Sequence, residues 1–134
     1  MTPADIEVEF SNLAMLVTAD HVEIGDLNDR WATLKSEANS LRSAVKAAEA
    51  DIMANTLFDG KNQQIRDAQF HLACQKSSAW SEATEALAGT LLDIEACERD
   101  IDLRNKSLRA KELQMAFRIE QMSFLNTPRF YKEI

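Results

Sequence analysis

The chain has 134 residues, enough for one domain but not for two full globular cores, and only three Gly and two Pro among them. Ala, Leu, Glu, Lys, Arg and Gln dominate, which is the composition of long helices. No run of about 18 apolar residues occurs, so no transmembrane helix is expected, and Asp5, Glu7 and Glu9 in place of a basic leader argue against a secretory signal. These features predict a cytoplasmic protein with no membrane association.

The formal net charge is −7. All of that excess lies in residues 1–29, where Asp5, Glu7, Glu9, Asp20, Glu23, Asp26 and Asp29 stand without a single Lys or Arg. The remainder of the chain is balanced.

Thr2-Pro3-Ala4-Asp5 predicts a helix start, with Thr as cap, Pro at the first helical position and Asp at the positive end of the helix dipole. From Ile6 onward apolar residues alternate spacings of four and three through Phe10, Leu13, Val17, Ile24, Leu27, Trp31, Leu34, Ala38, Leu41, Val45, Ala48 and Ile52. This is a heptad seam, the signature of a helix that packs along one stripe. Asp20 breaks it and Gly25 lies inside it, which predicts an interruption of the first helix near 19–26.

Asn55 to Asn62 reads as a turn, with Gly60 in the left-handed conformation that ends a helix and Asn62 as the next cap. The predicted helices are 3–57 and 63–125, joined by the turn 58–62. The second seam is read as Phe70, Ala73, Ser77, Trp80, Thr84, Leu87, Leu91, Ile94, Glu98, Ile101, Asn105, Leu108, Glu112, Met115, Ile119 and Met122. Pro128 disfavours helix at Thr127 and separates residues 127–134 as a tail from the domain 1–126.

Folding at that turn predicts a long antiparallel coiled-coil helical hairpin, all-α, associating further into a helical bundle. Its register sets Trp31 by Leu87, Ala38 by Trp80 and Leu13 by Asn105, with large side chains facing small ones. The same register brings Glu7 to Lys111 and Glu9 to Arg109, so that opposite charges specify direction. Asn105 is the buried amide that would fix the register.

Few residues suggest chemistry. Asp20 would face Glu98 with His21 beside it, but a helix break that brings both carboxylates to water is the plainer reading. Asp67 and His71 form an ordinary i,i+4 pair. Cys74 and Cys97 lie too far apart on one helix for a disulfide and read as reduced core thiols. No phosphate-binding loop, nucleophile–base pair, metal-ligand set or cofactor motif is found, so no catalytic residue is assigned.

A second apolar stripe runs through Leu92, Ala96, Leu103, Ala110, Leu113, Phe117 and Phe124, off the hairpin seam. A two-helix hairpin buries one stripe per helix, so this one needs cover. Leu92, Leu103, Leu113, Phe117 and Phe124 are therefore the expected interface of a homo-oligomer, with a dimer favoured over a foreign protein partner. In the tail, Arg129, Phe130, Tyr131 and Lys132 read as a docking element rather than a nucleic-acid contact.

The stretch Asp59-Gly60-Lys61-Asn62-Gln63-Gln64-Ile65-Arg66-Asp67-Ala68-Gln69 is similar to a GKN-x-x-x-R-x-A-Q pattern. In that pattern the chain resembles small coiled-coil proteins encoded in bacteriophage genomes, covering about a tenth of its length. The resemblance implies a phage or mobile-element origin and action in the host cytoplasm, and it brings no catalytic residues. The expected function is a non-enzymatic interaction or scaffold protein, a phage-encoded modulator or inhibitor of host defence or replication and recombination proteins. The alternative is a nucleic-acid-associated protein that binds DNA through the basic stretch 99–111 or mimics DNA with its acidic arm.

Overall fold

The computed structural model describes residues 2–126, and among them helix is the only regular secondary structure. Three helices follow in order: α1 (Pro3–Asn55), α2 (Gln63–Lys76) and α3 (Ser78–Asn126). The tail 127–134, with Arg129 to Lys132, lies outside the described residues. None of the described helices is long and apolar enough to cross a membrane. The described residues divide into two compact units, one joining those up to Asn28 with those from Arg99 onward, the other Asp29–Glu98.

α1 begins where its sequence demands. Thr2 Oγ1 accepts from the Asp5 backbone N–H at 3.2 Å, and the Asp5 carboxylate accepts from the Thr2 backbone N–H at 3.0 Å. This reciprocal box satisfies two donors that a helix start leaves orphaned. The Thr2 backbone N–H, and then its hydroxyl, hold the Asp5 carboxyl below its ordinary value.

Contrary to expectation, α1 is unbroken through 19–26. Asp20 stays in the seam because its carboxylate is neutralised there, as described below, and Gly25 remains helical at a cost of about 1 kcal/mol relative to Ala. The seam read on α1 is the buried or half-buried stripe throughout, from Ile6 to Ile52.

The linker differs most from expectation. Residues 56–62 form no helix, and none of the described glycines has a positive φ, so Gly60 is not a left-handed helix stop. The linker instead runs back along α2. Gly60 N–H donates to Gln69 Oε1 at 3.1 Å, Arg66 donates to the Gly60 carbonyl at 3.1 Å, and Gln69 donates to Asp59 at 3.0 Å. The Phe58 and Phe70 rings meet edge to face at 5.9 Å. Gly60 is needed for close approach: a Cβ there would lie 2.6 Å from Ile65 Cγ2. Asn62 does cap α2, accepting from the Ile65 N–H at 2.9 Å.

An extended residue advances about 3.3 Å and a helical one about 1.5 Å, so a seven-residue strap spans more than two turns of α2. That displaces the register by several residues. Trp80 Nε1 donates to Glu49 at 3.3 Å, eleven positions beyond its expected neighbour Ala38. Ala38 is nonetheless fully buried, and Trp31 is half-buried with Lys35 5.2 Å over its ring.

The predicted second helix is also divided. Ser77 adopts extended dihedrals (φ −82°, ψ 119°), donates its N–H to the Cys74 carbonyl and accepts from the Trp80 N–H at 3.3 Å through Oγ. One serine thus ends α2 and caps α3. Cys74 and Cys97 are buried and outside any disulfide, as read from the sequence. Asp67 accepts from Gln63 rather than pairing with His71, whose ring meets Gln75.

Candidate functional site

Within the first unit, acids of α1 meet bases of α3 in a ladder. Lys111 Nζ donates to Asp20 Oδ2 at 2.6 Å, Arg104 lies 2.8 Å from Glu23 and 3.9 Å from Asp20, and Arg118 pairs with Glu9. Asp20 is only 4% exposed. A carboxylate so deeply placed is tolerable only with a cation in hydrogen-bond contact, which Lys111 supplies.

The ladder corrects the expected pairs. Glu9 reaches Arg118 instead of Arg109, nine residues further along, and Lys111 meets Asp20 instead of Glu7. Asp20 therefore does not share a site with Glu98, which is exposed. Asn105 is exposed as well and does not set the register. On α3 Cys97 is buried and Lys111 and Arg118 are half-buried, each one position earlier than the exposed Glu98, Glu112 and Ile119, while Arg104 in the same row stays exposed and reaches Glu23. Long basic side chains can hold a seam position by burying their stems and directing their charged ends to carboxylates.

The expected interface residues are exposed along α3: Leu92, Leu103, Leu113, Phe117 and Phe124 each present more than half their surface to solvent. Leu103, Ala110, Phe117 and Phe124 recur every seven residues on the first unit's part of α3. The sequence reading overlooked a matching row on α1. Val8, Met15 and Val22 are also seven apart and are 60%, 72% and 60% exposed. The signal was available: residues 10–19 contain no charge, and one helix side cannot bury all of them.

A groove on this unit is lined by Glu23, Asp26, Leu27, Asp100, Leu103 and Arg104. Leu103 thus borders the acids of α1. The groove carries more carboxylates than cations. Among the described residues no group of three or more His, Cys, Asp or Glu is placed to hold a metal ion. The arrangement suits docking of another helix: apolar rows at heptad spacing, bordered by charge.

Comparison with known proteins returns no matching family model, no matching curated protein and no matching solved structure.

Proposed function

We propose that this chain is a non-enzymatic interaction and scaffold protein, a long antiparallel coiled-coil hairpin that associates with a second copy into a helical bundle. The observation that carries this reading is the exposed apolar row of α3, with Leu103 at 63%, Leu113 at 64% and Phe117 at 56%. A Leu or Phe removed from water contributes about 1.5–3 kcal/mol, so covering three such side chains per copy favours association. The row repeats with the heptad period, which is what another helix of the same kind accepts.

The likeness of residues 59–69 to phage coiled-coil proteins supports a phage-encoded modulator of host defence or replication and recombination proteins, acting in the host cytoplasm. Direct DNA binding is the weaker reading, because Arg104, Lys111 and Arg118 are already engaged by Asp20, Glu23 and Glu9. The test is the double variant Leu113→Glu/Phe117→Glu. It should stay helical and soluble and show a smaller mass by light scattering. Retention of the wild-type mass would remove the row as an interface.

A further inference from the structure

On α1, Val8, Met15 and Val22 form an exposed apolar row with Asn12 and Ala19 along one side and Asp26 at its end. On α3, Leu103, Ala110 and Phe117 form a second exposed row with the same period, and Arg99 stands at its end. We propose that these two rows are complementary, the α1 row of one copy seating antiparallel on the α3 row of a second copy. This deepens the self-association argued above and rests on it.

Three observations choose this occupant. The first is shape: antiparallel alignment sets Val22 by the partner's Leu103, Met15 by the partner's Ala110 and Val8 by the partner's Phe117. In either direction the largest α1 side chain, Met15, meets the smallest on α3, Ala110, as close packing requires, so shape matches the two rows and charge sets their direction. The second is charge. That alignment brings Asp26 to the partner's Arg99, whereas a parallel one sets Asp26 by the partner's Gln121 and gains no ion pair. Asp26 also lines a groove in which carboxylates outnumber cations, so an incoming guanidinium is favoured there. The third is area. One such contact covers three side chains on each copy, about 300 Å² per partner, and two symmetry-related contacts double that to about 600 Å², the lower end of stable interfaces. The α1 rows alone would not serve, since two copies of an acid-bordered strip bring no cation to Asp26.

The experiment is a charge exchange on the full chain, followed by sedimentation equilibrium and circular dichroism. Asp26→Arg and Arg99→Asp should each weaken self-association about tenfold or more while leaving helicity unchanged. The double exchange should restore it to within about threefold of wild type. Met15→Glu, at an exposed position that folding does not require, should also dissociate the oligomer. If the single exchanges and Met15→Glu leave the oligomer intact while Leu113→Glu/Phe117→Glu dissociates it, the α3 row is covered by another surface and this pairing is wrong. Failure of the double exchange to rescue would equally discard it. A wild type that is monomeric at every concentration would overturn the self-association reading as well.

Discussion

Asp20 occupies a position where a helical seam ordinarily holds Leu or Val, and it is buried. Its contact with Lys111 at 2.6 Å makes the substitution tolerable and ties α1 to one place along α3. Replacing Asp20 with Asn removes the charge and leaves the largely buried ammonium without its counter-ion. Hydrogen bonds to charged groups contribute about 1.5–3 kcal/mol, and Lys111 retains some solvent, so the expected loss is about 1–2 kcal/mol. The midpoint of urea unfolding should fall accordingly, and an unchanged midpoint would mean that the pair does not stabilise the fold. Cys74 offers a second check. Burial, and then the Glu49 carboxylate, push its thiol above the ordinary value. The folded chain binds that proton more tightly than the unfolded one. Its stabilising contribution is therefore complete below the unfolded thiol pKa and is lost as pH rises through the folded value. At about pH 8 Cys74 should react with iodoacetamide much more slowly in the native chain than in urea. Equal rates would contradict its burial.

At the scale of elements, α1 was the most legible from sequence, because a strict alternation of four and three leaves one consistent stripe. α3 was legible only in part. Ile94, Ile101, Leu108, Met115 and Met122 belong to either reading of its seam, and the choice between the flanking rows depends on admitting Lys111 and Arg118 to inward positions. Amphipathic periodicity does not identify such residues; their carboxylate partners on α1 do. Residues 58–62 read from sequence as a turn, and Asn62 does cap α2, but the hydrogen bonds of Asp59 and Gly60 lead to Gln69 and Arg66. Nothing local distinguishes those two outcomes. The strap makes a clear prediction. Gly60→Ala forces a methyl against Ile65 and the Arg66 backbone, and overpacking of this kind costs about 1–3 kcal/mol. Thermal unfolding should fall by several degrees, with increased proteolysis within 56–62. If Gly60 served only as a flexible joint, Ala would be neutral or slightly stabilising.

For the molecule as a whole, the described residues bury few apolar side chains: Ile6, Leu34, Ala38, Cys74, Ile94, Cys97 and Leu108. Many others of similar size are exposed, including Val8, Met15, Leu103, Leu113 and Phe117. In the pairing proposed above, a second copy covers both outward rows. The most direct test is sedimentation equilibrium of the wild-type chain over a wide concentration range, with helicity followed in parallel. If the two rows pair between copies, the mass rises reversibly with concentration above that of the 15.1 kDa monomer, with helicity and thermal stability rising as the oligomer forms. A chain that remains at monomer mass up to the highest concentration, fully helical and equally stable throughout, would contradict it.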